Sequence, residues 1–91
     1  MNQNRINDDL CTIVNLLNKI DQDDSIDIRN HVLVNAVLYL ADEHLTGEDG
    51  QSRANIEYIK KAGFDIFAGE QDRYGWLIGC IELKRGIIFF G

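Results

Sequence analysis

The apolar pattern of this 91-residue chain changes period once, near residue 64, and that change limits what it can fold into. Ahead of it, apolar residues recur every three or four positions, as on a helix that buries one face. Beyond it they alternate or run together, as in strands. A helix-period stripe folded as a strand would turn half its apolar residues to solvent, so the two regions must adopt different structure. The expectation is an α+β domain spanning residues 1–91, with three N-terminal helices followed by a three-stranded antiparallel β-meander.

The first helix is expected over about residues 5–20, where Ile6, Leu10, Ile13, Val14, Leu17 and Ile20 share one face. Asp8 and Asp9 read as first-turn acids that the helix dipole favours. A second helix is expected over about 25–45, with "HVLVNAVLYLA" apolar nearly all round, as in a helix packed on several sides. Asp24, Ser25 and Asp27 are its candidate caps. The third, over about 52–62, opens with Ser52 as candidate cap and ends at "KKAGF". There Gly63 takes the left-handed backbone and Phe64 folds back onto the helix. Strands are expected over about 64–68, 74–83 and 87–90, with "GEQDR" a loop and "KRG" a tight hairpin turn in which Gly86 supplies positive φ.

Both faces of that sheet are apolar. Leu77, Ile81 and Leu83 occupy one, with Gly75 and Gly79 leaving room for a helix, and a three-residue turn adds Ile87 and Phe89. Trp76, Ile78 and Cys80 then share the other with Ile88 and Phe90; a two-residue turn exchanges the last pairs. Three short helices cover one face readily and two with difficulty. Either a helix crosses the second face, or that face or the edge of "IIFFG" pairs with another subunit. Trp76, Ile78, Ile88 and Phe90 are the residues expected at such a twofold homodimer interface, Lys84 and Arg85 guarding only the turn.

Net charge is −6, and it is unevenly spread. Residues 1–50 carry ten acids against three bases, whereas residues 51–91 carry five against six. Direct nucleic-acid binding is disfavoured, because phosphate contact needs a positive surface. No apolar run reaches the length of a membrane span, and "MNQNRINDDL" lacks the layout of an export signal, so a cytoplasmic location is expected. Cys11 and Cys80, far apart and without metal-ligand spacing, read as buried or half-buried thiols rather than a disulfide.

In "NKIDQDDSIDIRN", Asp21, Asp23, Ser25 and Asp27 alternate as calcium-loop ligands do. Ile26 then stands where the bend needs glycine, and Val32 where a bidentate carboxylate belongs, so no metal is expected. His31 and His44 point roughly opposite ways on one helix and cannot share an ion. Asp27 and His31 fit a helix-start pair, Cys11 has no activating base, and "TGEDGQS" is no phosphate loop. No catalytic residue and no cofactor follow, and an enzyme is not expected.

Asp42 and Glu43 fall in the last turn of the second helix, where carboxylates oppose the dipole, and Glu48 and Asp49 follow. Residues that cost local stability without evident gain are candidates for function. With Asp23 and Asp24 they form the expected partner-binding set. The leading expectation is a small acidic inhibitor docking on the basic surface of a nucleic-acid-handling protein, its carboxylates standing in for phosphates. Immunity proteins and phage anti-restriction or anti-CRISPR proteins are of this size and charge. The alternatives are a homodimeric accessory subunit, or a small ligand-binding domain or enzyme with a pocket between the second helix and the sheet, using Cys80, Trp76 or His31.

Overall fold

The computed structural model describes residues 3–47, 49–71 and 77–90, with side chains from residue 4 to 47, 49 to 67 and 79 to 90. Its elements run α1 (Gln3–Gln22), α2 (Val32–Leu45), α3 (Gly50–Lys61), β1 (Asp65–Gln71), β2 (Leu77–Leu83) and β3 (Gly86–Phe90). The strands form one antiparallel sheet in the order β1-β2-β3. Three helices followed by an antiparallel meander is therefore the architecture.

The stripe of α1 is core: Ile6, Leu10, Ile13, Leu17 and Ile20 are all buried. Each such side chain contributes roughly 1.5–3 kcal/mol on leaving water. The helix begins at Gln3, so Asp8 and Asp9 lie past its first turn, which holds no acid. α2 starts at Val32 rather than near residue 25. The reason is local: the Asp23 and Asp27 carboxylates accept the backbone N–H groups of Ser25 and Arg29 at 3.0 and 2.9 Å, closing short turns that compete with a helix. His31, and none of Asp24, Ser25 and Asp27, is the cap, its Nδ1 accepting the Leu33 N–H at 3.1 Å. Asp27 and His31 consequently share no helix face.

α3 is capped by Asp49 instead of Ser52; Asp49 Oδ1 accepts the Ser52 N–H at 2.8 Å. Its end is as expected. Gly63 has φ 104°, its N–H donates to Lys60 O at 3.0 Å, and the Phe64 N–H donates to Ile59 O at 3.4 Å. That bond pair closes the helix and returns Phe64 to the core.

The sheet corrects the expected division of faces. Leu83 pairs with Gly86 across a two-residue turn, Lys84–Arg85, so Ile88 and Phe90 join Ile66, Ile81 and Leu83 on the inner face. Ile88 is 2% and Phe90 7% exposed, which removes both from the expected interface. Ile87 and Phe89 lie outward with Phe67, Cys80 and Glu82. Trp76 and residues 74–75 fall outside the described residues, as does the side chain of Ile78. β1 extends through Gln71, across a register irregularity after Ala68, where a loop from residue 69 was expected.

Two glycines serve space in place of the roles expected for them. Gly86 does not have positive φ; the Ile28 side chain occupies the position a Cβ would take. Beside Gly79 the room belongs to no helix. A Cβ there would stand 2.8 Å from Cζ of Phe90, whose ring lies across the glycine from the neighbouring strand. Buried residues from all six elements form one cluster beneath the helices. No helix among the described residues is long and apolar enough to cross a membrane.

Candidate partner-binding surfaces

The loop between α1 and α2 is built around a cation, and that cation is Arg85 from the β2–β3 turn. Nη1 donates to the carbonyls of Ile20, at 3.1 Å, and Asp23; Nη2 donates to those of Asp24, at 3.2 Å, and Ile26. A planar guanidinium with five N–H donors suits such a ring of acceptors. Asp21 Oδ1 adds an acceptor for the Lys84 N–H at 2.9 Å. The turn is thus bolted to the loop; Arg85 does not merely guard it. Because the carbonyls point inward, the Asp23 and Asp24 side chains are left exposed. Hydrogen bonds from the Ser25 hydroxyl and N–H hold the Asp23 carboxyl below its ordinary range, with Arg85 adding a favourable charge.

At this same end lies a cleft of about 340 Å³ lined by Asp21, Asp65, Glu82 and Lys84, with Phe64 and Leu83. Asp65 and Glu82 are direct cross-strand partners. Like charges so placed destabilise a sheet. Asp21, Asp65 and Glu82 were missed in the sequence because only the α3–β1 corner and the strand register bring them together.

The remaining expected acids lie elsewhere. Asp9 of α1 meets the C-terminal end of α2, and from Asp9 to Asp23 the helix runs roughly 20 Å at ~1.5 Å per residue. His44, 6% exposed, places Nε2 2.7 Å from Asp9 Oδ2 and 3.9 Å from Glu43 Oε2. Asp9, Glu43 and His44 offer donor atoms within 4.8 Å of one another, and they are the residues that would hold a cation here. Yet Asp9 and His44 stand at hydrogen-bond distance, nearer than the ~3 Å that separates two ligands of one zinc ion with ~2 Å bonds. The arrangement is that of a buried imidazole satisfied by a carboxylate. The signal was present in the sequence: His44 occupies a core position of α2, with Val37, Ala41 and Leu45, and a buried ring nitrogen needs a partner.

Asp42 is exposed at this end, and Asp49 is occupied as a cap, held low by the Ser52 N–H and hydroxyl. Asn55 ties the region together, its Nδ2 donating to His44 O at 2.9 Å and its Oδ1 accepting from Gln51 Nε2 at 2.7 Å. Glu48 falls outside the described residues. The structure therefore groups Asp23 with Asp24 and Asp42 with Glu43 and Asp49, and does not gather all of them into one patch. Among the described residues no Lys or Arg side chain pairs with an acid; the only basic side chain at such a distance from a carboxylate is the His44 imidazole.

A third surface is apolar. A groove of about 660 Å³ runs between Ile28 and Leu38 on one side and Ile87 and Phe89 on the other. It adjoins a second, of about 360 Å³, bounded by Leu38, Tyr39, Asp42 and Phe89. Tyr39 and Phe89 are 72% and 71% exposed, so α2 is not packed all round. Cys80 is half-buried on the outer face while His31 caps α2, so those two serve different elements. Cys11 is exposed, contrary to expectation, and accepts from Asn15 Nδ2 at 3.7 Å. Neither protein-family models, nor curated proteins, nor solved structures include a match to this chain, so function must be argued from these surfaces alone.

Proposed function

We propose that the chain is a small non-enzymatic binder that blocks a basic, nucleic-acid-handling protein by docking acids on its cationic groove. The observation that carries this is the absence of close internal ion pairs: among the described residues no Lys or Arg side chain lies within ion-pair distance of a carboxylate, and Arg85 is engaged by carbonyls. Carboxylates left unpaired are available to a foreign cation and steer its approach. The end bearing Asp21, Asp23, Asp24, Asp65 and Glu82 is the better docking surface of the two acidic regions. Its cleft, lined by Phe64 and Leu83 along with three acids against the one cation Lys84, suits a Lys or Arg side chain with an apolar stem and a charged head. Such a binder would act in the cytoplasm, where Cys11 and Cys80 stay thiols, in the manner of an immunity protein or a phage anti-restriction or anti-CRISPR protein.

The test is capture of nucleic-acid-binding proteins on the immobilised chain, with duplex DNA as competitor, at roughly 0.05 and 0.5 M salt. The expected result is a basic protein released by DNA and by salt. Asp65→Lys with Glu82→Lys should abolish capture, and Asp42→Lys with Glu43→Lys should weaken it less. Retention indifferent to salt, to DNA and to both charge reversals would overturn the reading.

A further inference from the structure

β3 is the last strand of the sheet, and among the described residues only one of its edges is used. The two-residue turn makes Leu83 and Gly86 a hydrogen-bonded pair. Alternation then directs the backbone groups of Gly86, Ile88 and Phe90 toward β2, and those of Ile87 and Phe89 toward the open edge. Among the described residues nothing takes up the latter. Beside this edge lie the apolar groove and the smaller one adjoining it, and together they carry opposite charge at their two ends. Arg29 stands at the turn end, near Gly86, and Asp42 at the other, near Phe90. Neither side chain forms an ion pair among the described residues.

A bare edge strand accepts any extended segment; the charges select the occupant. A twofold axis through Ile88 reverses the strand direction, setting Ile87 of each copy opposite Phe89 of the other. The same operation brings Arg29 of each copy to Asp42 of the other. We propose that the chain pairs with a second copy of itself along β3, antiparallel, joining two three-stranded sheets edge to edge. Ile87 and Phe89 pack across the axis, and an Arg29–Asp42 bridge closes each end. The outward Ile87 and Phe89 backbone groups then satisfy one another. Edge pairing through "IIFFG" is one of the two subunit contacts the sequence offers, but its residues differ from those expected, since Ile88 and Phe90 stay in each copy's own core. It does not rest on the acidic reading, whose main surface at Asp21, Asp65 and Glu82 lies outside the groove; Asp42 is the one acid that the two share.

Sedimentation of the full chain over a range of concentrations tests it, with no other partner present. The expected result is a reversible dimer. Phe89→Asp should leave a folded monomer, with the unchanged far-ultraviolet circular dichroism of an exposed position. Arg29→Asp and Asp42→Arg should each weaken dimerisation by about tenfold or more. Mixing those two variants should restore a one-to-one heterodimer, because one bridge re-forms with its charges exchanged and the other is the native Arg29–Asp42 pair. A chain that stays monomeric to about 1 mM overturns the proposal. So does a dimer indifferent to Phe89→Asp, or single variants that mixing fails to rescue. Protection of the Ile87 and Phe89 amides only on adding a foreign extended peptide would assign the edge to that peptide instead.

Discussion

On the inner face of the sheet, Ile66, Ile81, Leu83, Ile88 and Phe90 are sealed beneath three helices; on the outer face, Phe67, Ile87 and Phe89 meet solvent. The two sets are chemically almost interchangeable. Phe89 and Phe90 are neighbours in one strand, yet one is 71% exposed and the other 7%. What separates them is the parity of the turn. Side chains alternate along a strand, so one residue more between Leu83 and Gly86 would have exchanged the two pairs.

The comparison breaks most visibly at that pair. Phe90→Ala should cost about 3–5 kcal/mol of monomer stability in urea unfolding, as expected for a core phenylalanine. Phe89→Ala should cost no more than about 0.5 kcal/mol, measured at concentrations below dimerisation. Equal losses would mean that the register is wrong and that the faces are not what the pairing makes them.

The next effect concerns what holds the turn. Arg85→Ala removes the donor to four carbonyls of the α1–α2 loop and leaves Ile26 and Ile28 poorly anchored against the sheet. A loss of about 2–3 kcal/mol is expected, since bonds from a charged donor are worth more than neutral ones but do not add. Arg85→Lys should recover only part of it, because an ammonium is a point charge without the fork. Amide exchange should quicken over residues 23–29 and in the turn while the middle of α1 keeps its protection. Uniform quickening would mean that Arg85 acts on the whole core.

These two sites show where the sequence was legible. The α1 stripe and the "KKAGF" terminus could be read because each depends on residues within a turn or two of one another. The start of α2 could not. Asp23 and Asp27 bend the chain locally, but the loop they form is completed by Arg85, which is distant in sequence. The same holds for His44, whose partner Asp9 lies on another helix. The face assignment hung on turn length: the two-residue turn that exchanges the last pairs is the one found, a difference of one residue that apolar composition does not encode. The acidic surface was legible in amount and not in grouping, because grouping depends on which ends of α1 and which strands meet.

A smaller effect sharpens the inner face. Gly79 leaves space that the Phe90 ring fills, and a Cβ there would lie 2.8 Å from Cζ and 3.1 Å from the Phe67 carbonyl. Gly79→Ala should cost about 1–3 kcal/mol as overpacking. In a Phe90→Leu background the cost should fall, since the shorter side chain vacates the contact, and the two changes should be measurably non-additive. Strict additivity would show that the strain comes from the Phe67 backbone alone.

The smallest effect tests whether an exposed polar group can matter structurally where an exposed apolar one such as Phe89 does not. Asp49 is open to solvent, yet it accepts the Ser52 N–H and thereby starts α3; that bond, with the Ser52 hydroxyl, holds its carboxyl below the ordinary aspartate range. A carboxyl whose folded value is depressed contributes stability that is full above its unfolded value and is lost as pH falls through the folded one. The contribution of Asp49 should therefore be complete at neutral pH and fade below the ordinary aspartate range, near pH 4. Asp49→Asn keeps an acceptor for the cap but does not titrate. It should leave neutral stability nearly unchanged and flatten the acid limb of the stability curve, with Phe89→Ala as the control that leaves that limb intact. An acid limb as steep in Asp49→Asn as in the native chain would show that the cap bond does not depend on charge, and that the outer surface, polar or apolar, contributes little to holding the fold.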